Sequence, residues 1–351
     1  MNVATIQATA VPVDASAGTE VWVTTRDGVR LSVKVYGPQD ATHTVILLHG
    51  LCLDRDCWTP HIGYLRRRFG PDIRIIAPDH RGHGRSGAAP VGTYRVDQLA
   101  RDLDDVLLAL GATRPLTIVG HSMGAMTAIT YAAQANRNVE VDGLVLVATA
   151  AGKIAQRGLG RLLGLPAVTA LIGMVEHTPA FALKQLAKPA CSAMSRWLGC
   201  AHDQRLTLAS IAAEALATTA VRTIVGFLAS LAVYDQAVQS IHARTVVLSG
   251  GEDILTPVAH ALDLVAGIPG AEHVHVPHAG HMLPQEVPAV VNAAICWAMA
   301  VDTTVAPPAR ERVPVWSRSI PGRSAMRYLI GAQNDSDPES SSAPSRREVR
   351  L

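Results

Sequence analysis

Aromatic residues are scarce in this chain: three Phe, five Trp and six Tyr make 4% of 351 residues. Aliphatic side chains and alanine must therefore fill the core. At 48% hydrophobic residues, the chain has enough of them for one large domain with an insertion. An excess of charge is also missing, because 31 Lys and Arg stand against 29 Asp and Glu, a net +2. That balance gives no electrostatic ground for binding nucleic acid or an acidic membrane. Cysteine is sparse and odd in number. Cys52, Cys57, Cys191, Cys200 and Cys296 lack metal-ligand spacing and are expected to be thiols in a reducing compartment. Long apolar runs are absent, and the stretch Thr223 to Val233 is too short to span a bilayer. Met1 to Gly18 has no Lys or Arg and no continuous apolar core, so it does not read as a signal peptide. The expectation is a cytoplasmic protein with no transmembrane segment, leaving room for a peripheral lipid contact. Oligomeric state leaves no mark in the sequence.

What the chain does have is Gly120-His121-Ser122-Met123-Gly124, between the apolar run Leu116–Val119 and the helical pattern from Ala125. Gly-x-Ser-x-Gly between a strand and a helix is the form of a nucleophile elbow. The turn is tight enough that its neighbours must be small, as glycine at 120 and 124 and alanine at 125 are. The start of the following helix adds partial positive charge where an oxyanion would form. The pattern alone also fits an ordinary turn. A lone hydroxyl is a poor nucleophile and needs a base, and the base needs a group to orient it.

On a scaffold of this kind the acid follows the serine and the histidine comes last. Downstream, the β-branched run Thr245–Leu248 leads to Gly250-Gly251-Glu252-Asp253. The run Glu272–Val276 leads to a loop with Gly280 beside His281. Both candidates sit just past the C-terminal end of a predicted strand, the edge where ligand sites form in open α/β sheets. The helical pattern Val258–Ala266 fits between them. Upstream, Thr44–Leu48 is a buried strand ending in His49-Gly50. The glycine lets the chain fold back, which places an oxyanion hole at the N–H groups of Leu51 and Met123.

These marks, together with Asp79-His80-Arg81-Gly82-His83-Gly84-Arg85-Ser86, resemble the α/β-hydrolase superfamily, most closely its serine esterase, monoacylglycerol-lipase and haloperoxidase-like branch. They run in family order over about residues 20–300. The resemblance implies Ser122 as nucleophile, His281 as base and, between the adjacent Glu252 and Asp253, Asp253 as the orienting acid. It implies an α/β-hydrolase fold: a mostly parallel eight-stranded sheet flanked by helices, with a helical cap inserted after the sixth strand. No cofactor and no metal are implied. Epoxide hydrolases and haloalkane dehalogenases of this superfamily carry Asp where this chain has Ser122, which argues against both.

Several patterns compete. Gly82-x-Gly84-x-x-Gly87 matches a dinucleotide fingerprint, but Ala88-Ala89-Pro90-Val91-Gly92 follows where a helix would have to open. His273, His275, His278 and His281 are close enough in sequence to invite a metal reading. In a strand, however, Val274 and Val276 would face the core and the histidines the other way. Asp142 and Asp235 fall just before predicted strands, at the wrong sheet edge for a catalytic acid. Asp54, Arg55 and Asp56 read as solvated or loop-fixing charges. His49, Gly50, Trp58, Leu255 and Met282 are candidates for lining the substrate site, with core packing the competing reading for Trp58.

Along the chain, 1–19 reads as a flexible tail. Val21 to Val35 carries two alternating runs around Asp27-Gly28, a hairpin signal. Buried strands are expected at 44–48, 73–77, 116–120, 143–148, 244–249 and 273–276, with a helix over Val96–Leu110. The first part of the core is 20–150 and the second 241–301. The alternation of strand and helix fails over 151–240, where helical patterns cover Gly158–Leu165, Val168–Met174, Ala180–Ala187 and Arg205–Val233. This is read as a cap that excludes water and supplies an apolar pocket. After 302 the composition turns Arg-, Ser- and Pro-rich, and the tail reads as largely disordered.

The expected activity is hydrolysis of carboxylic esters of apolar or lipid-like small molecules through an acyl-enzyme. Two rival enzyme readings, a cofactor-free haloperoxidase or perhydrolase and a carbon–carbon bond hydrolase, keep the same three residues. A third reading is a non-enzymatic small-molecule binder on the same scaffold.

Overall fold

The computed structural model describes residues 8–11, 18–164 and 219–300. The helical patterns at Val168–Met174 and Ala180–Ala187, and the tail after 302, lie outside the described residues.

Nine strands form one sheet in the order β1-β2-β3-β5-β4-β6-β7-β8-β9. They are β1 (Ala8–Val11), β2 (Thr19–Thr24), β3 (Arg30–Tyr36), β4 (His43–Leu48), β5 (Ile73–Pro78), β6 (Leu116–His121), β7 (Gly143–Val147), β8 (Arg244–Gly250) and β9 (Glu272–Val276). The pairings β1–β2, β2–β3 and β3–β5 are antiparallel, and every later one is parallel. The eight strands expected from Thr19 onward are all present. The ninth corrects the reading of 1–19 as a tail, because Ala8–Val11 pairs with Glu20–Val23 along the edge of the hairpin. A sheet edge offers unpaired N–H and C=O groups, so four residues suffice to add a strand without an alternating pattern.

Period-two alternation divides the sheet's side chains between two faces. Ile46 and Leu48 of β4, Ile118 of β6, Leu144 and Leu146 of β7 and Val247 of β8 face one way. They pack on α2 (Val96–Ala109), α3 (Met123–Ala133) and α5 (Val258–Gly267). Val45, Leu47, Val119, Val145, Val147, Val246 and Leu248 face the other way, against α1 (Thr59–Phe69) and α7 (Pro288–Ala298). Both faces are covered, which is why the parallel strands read as continuous apolar runs rather than as alternation with polar residues. The fill is aliphatic and alanine-rich, as the scarcity of aromatics requires.

Two further helices complete the described set: α4 (Val221–Ala232), at the end of the expected cap, and the single turn α6 (Leu283–Glu286), just before α7. The Gly158–Leu165 pattern forms 3-10 turns over Gly158–Gly164. No described helix is long and apolar enough to cross a membrane.

The order of strands matters for the site. From β4 the chain moves to β5 on one side, then crosses back to β6 on the other. The loops leaving β4 and β6 therefore diverge from neighbouring strand ends and open a crevice there.

Candidate active site

Ser122 follows the last residue of β6 and caps α3, with φ 51° and ψ −116°. A non-glycine residue held in this region is strained and persists only where its surroundings impose it. Here they do. The Ser122 N–H donates to the Val147 carbonyl at 2.9 Å, and the Thr149 hydroxyl donates to the Ser122 carbonyl at 2.9 Å. The flanking glycines are sterically required. A Cβ on Gly120 would lie 2.4 Å from backbone atoms of Ala125, and one on Gly124 would lie 2.3 Å from the Leu48 carbonyl oxygen. The helix thus starts in direct contact with the end of β4.

The loops after β8 and β9 meet over similar close approaches. A Cβ on Gly250 would lie 2.3 Å from the Ala279 carbonyl oxygen, and one on Gly251 would lie 2.2 Å from that of Pro277. This crossing brings Asp253 and His281 together. His281 Nδ1–H donates to Asp253 Oδ2 at 2.8 Å, and its Nε2 lies 3.0 Å from Ser122 Oγ. The imidazole is thus oriented with its free lone pair toward the serine proton. Asp253 Oδ1 accepts the N–H groups of Leu255 and Thr256, both at 2.8 Å, and Oδ2 accepts the Thr256 hydroxyl at 2.7 Å. Burial pushes the Asp253 carboxyl upward. The positive charge His281 can carry, with the hydrogen bonds from His281 and Thr256, outweighs burial and holds it well below the usual carboxylate range.

The loop after β4 closes the other side. A Cβ on Gly50 would lie 3.4 Å from Ser122 Cβ and 2.9 Å from His121 Nδ1, so the chain passes directly over the serine. In this loop the Leu53 N–H donates to the Gly50 carbonyl and the Cys52 N–H to His83 Nε2, the latter at 3.2 Å. The N–H of Leu51 has no backbone acceptor among the described residues. Nor does that of Met123, the first residue of α3. An attacking hydroxyl, an oriented base and two donors fit addition to a carbonyl and stabilisation of the resulting oxyanion.

A family model described as alpha/beta hydrolase fold matches residues 43–286. The chain belongs to the alpha/beta hydrolase fold family. An sn-1-specific diacylglycerol lipase of Mus musculus is 26% identical over 251 residues, covering 71% of this chain and 78% of the relative. A 3-oxoadipate enol-lactonase of Acinetobacter baylyi is 26% identical over 242 residues, 68% of this chain and 81% of the relative. A non-heme chloroperoxidase of Burkholderia pyrrocinia is 35% identical, but over 112 residues, only 38% of its own length. Among solved structures, a hydrolase from Pseudomonas aeruginosa superposes with a TM-score of 0.61 at 22% identity, covering 80% of this chain and 98% of that one. At that identity the likeness speaks for the fold alone.

The remaining expectations sort out within this hydrolase scaffold. Glu252 is exposed and faces the exposed His278 at 3.9 Å, away from His281. Asp142 pairs with Arg114 and accepts the Leu116 N–H at the start of β6, at the opposite sheet edge from Ser122. Asp54 accepts the Asp56 N–H at the head of a short turn, a loop-fixing role. The glycine run 82–87 forms a closed loop in which Gly82 N–H donates to the Gly87 carbonyl, and no α-helix opens until Val96. His273 and His275 both approach Ser249 Oγ, at 2.8 and 3.0 Å, with Val274 and Val276 in the core. No described group of His, Cys, Asp and Glu is arranged to hold a metal ion. Cys52, Cys57 and Cys296 are thiols, and Cys191 and Cys200 lie outside the described residues.

Two pocket candidates are corrected. Trp58 is 0% exposed and packs edge-on against His61 in the core behind the sheet. His49 is also 0% exposed, with its ring turned toward His80 and His83. Neither side chain is open to solvent. Leu255 and Met282 are half-buried beside Asp253 and His281, and Gly50 sits against Ser122.

The support of the loop after β4 was missed from sequence. His49 Nδ1–H donates to the Gly50 carbonyl, which leaves its Nε2 to accept the His80 N–H at 3.0 Å. His83 Nδ1–H donates to the Arg81 carbonyl, which leaves its Nε2 for the Cys52 N–H. Both roles need neutral rings. Burial, reinforced by neighbouring histidines, holds His49 well below its ordinary value and pushes His80 down to about 3; burial takes His83 to about 4. The available signal was the pair of histidines in His80-Arg81-Gly82-His83, which the elbow reading does not use.

Proposed function

We propose that this chain is a serine hydrolase that cleaves carboxylic esters through an acyl-enzyme on Ser122. The observation that carries the reading is the continuous relay from Ser122 Oγ to His281 Nε2 to Asp253 Oδ2, at 3.0 and 2.8 Å, on a strained elbow. As Oγ attacks the ester carbonyl, His281 accepts its proton and Asp253 stabilises the imidazolium. The Leu51 and Met123 N–H groups receive the oxyanion. His281 then returns the proton to the leaving alcohol, and water releases the acyl group by the same steps in reverse order.

An apolar acyl group is supported by what surrounds the elbow. Leu51, Met123, Met126, Ile154, Leu163 and Phe227 form one apolar cluster. Ile154, Leu163 and Phe227 come from the 151–240 segment that we read as a cap. The test is an ester panel of increasing acyl length, run with wild type and Ser122→Ala. Turnover is expected to improve from acetyl to medium chains. Ser122→Ala is expected to lose about 10⁴-fold or more in kcat. Undiminished turnover by the variant would sink the assignment.

A perhydrolase reading on the same residues draws support from local likeness. A bifunctional esterase/perhydrolase of Acinetobacter calcoaceticus is 36% identical over 114 residues, 39% of its length. Peracid formation from hydrogen peroxide and a short carboxylic acid, at rates above ester hydrolysis, would favour it.

A further inference from the structure

His281 belongs to a loop, 277–282, that is part of no strand or helix, yet its ring must meet two partners at once. What holds its main chain is a three-point cradle. Glu286 Oε2 accepts the Gly280 N–H at 2.6 Å, and Oε1 accepts the Met282 N–H at 3.0 Å. One carboxylate therefore holds the N–H groups of the two residues on either side of His281. On the other side, His121 Nε2–H donates to the His281 carbonyl oxygen at 2.9 Å. His121 is 1% exposed, its ring centroid is 5.1 Å from that of His281, and its Nδ1 has no partner and faces Gly50.

Local sequence explains why Glu286 can do this. Pro284 starts the turn α6 near its N-terminus, and the Glu286 N–H closes it onto the Met282 carbonyl at 2.9 Å. From the fourth position of the turn, the Glu286 side chain reaches back to the N–H of the capping residue Met282 and two residues further to Gly280. Gly280 suits the contact, since a Cβ there would lie 3.2 Å from Glu286 Oε1. Charge-assisted hydrogen bonds from a carboxylate to backbone N–H groups are among the stronger kinds. Two of them, one on each neighbour of His281, restrain the main chain that carries it.

We propose that Glu286 is a positioning residue for the reaction, acting through His281, with His121 as the opposing strut. This rests on the serine-hydrolase reading above. The reacting groups tolerate little displacement, and an error of about 1 Å costs on the order of 100-fold in rate. With the two flanking amides released, the loop re-solvates and His281 samples orientations in which Nε2 no longer faces Ser122.

The test uses the full chain as wild type, Glu286→Ala, Glu286→Gln and Ser122→Ala. Glu286→Ala is expected to lower kcat about 10- to 100-fold with KM within about two-fold. It should slow fluorophosphonate labelling of Ser122 to a similar degree. The low-field proton resonance of the His281 Nδ1–H bond to Asp253 should broaden or move. Glu286→Gln keeps one oxygen acceptor and should recover part of the loss. Should Glu286→Ala fail to fold, Glu286→Gln decides alone: a lowered kcat at unchanged KM supports the proposal, and wild-type kcat overturns it. A mere helix cap would lower thermal stability while leaving kcat, labelling rate and the Nδ1–H resonance as in wild type, and that result overturns the proposal. If Ser122→Ala retains turnover, the hydrolase reading itself fails. If Ser122→Ala is dead and Glu286→Ala matches wild type, only the role of Glu286 fails.

Discussion

His49 and His80 exchange two hydrogen bonds: the His80 N–H donates to His49 Nε2 at 3.0 Å, and His80 Nε2–H donates to the His49 carbonyl at 3.1 Å. This reciprocal pair ties the end of β4 to the loop after β5, with His83 completing the tie through the Cys52 N–H. Cys52 itself has φ 66°, a conformation that needs outside support. The chain from His49 to Cys52 holds the Leu51 N–H that we assign to the oxyanion.

His83→Ala removes the acceptor for a buried N–H and loosens that loop. Its expected effects are a loss of about 1–3 kcal/mol in stability and a fall of about 10-fold in kcat, a fraction of what losing an oxyanion donor costs. Urea melts and steady-state kinetics check both. An unchanged kcat would mean that the loop holds its shape without the histidine.

The elbow glycines give a sharper contrast. Gly120→Ala and Gly124→Ala place a methyl group 2.4 and 2.3 Å from backbone atoms, which no rotamer change relieves. Each is expected to cost about 3 kcal/mol or more, or to abolish folding. Gly92→Ala meets nothing within 4 Å and is expected to be neutral or to gain about 0.5 kcal/mol by reducing unfolded-chain entropy. Thermal melts of the three variants check this, and comparable losses for all three would contradict the steric account.

Much of the fold was legible for a simple reason. Where a strand is buried on both faces its apolar run is continuous, and where glycine must admit a backbone atom no other residue serves. These two rules located β4 to β9 to within a residue or two and marked the loops that carry Ser122, Asp253 and His281, whose roles came from the family resemblance. The edge strand β1 was not legible, because its pairing with β2 comes from backbone hydrogen bonds that leave no pattern in Ala8–Val11. The roles of His80, His83, His121 and Glu286 were hidden for another reason. Each depends on knowing which loops end up adjacent, and for Glu286 on a single helical turn folding its carboxylate back over five residues. Trp58 and His49 misled because closeness in sequence to the loop after β4 does not say which way a side chain turns.

Buried neutral histidines make a pH prediction. Burial pushes His80 and His121 down to about 3 and His83 to about 4, while in the unfolded chain each titrates near about 6.5. Between these values the unfolded state binds protons that the folded state refuses. Stability is therefore full above about pH 6.5 and falls as pH drops through the window, by up to about 1.4 kcal/mol per pH unit for each histidine. Asp253, depressed in the folded state, adds to the loss below about pH 4. Urea midpoints should change little between about pH 7.5 and 6.5 and decline from there to about pH 5, and a flat profile over the whole range would contradict neutral burial.

The central claim, that Ser122 is the nucleophile activated by His281, is tested most directly by fluorophosphonate labelling followed by peptide mapping. The account predicts one adduct per chain, on Ser122, formed by wild type and absent in Ser122→Ala. No adduct on wild type, or an adduct on another residue that survives in the variant, would contradict it.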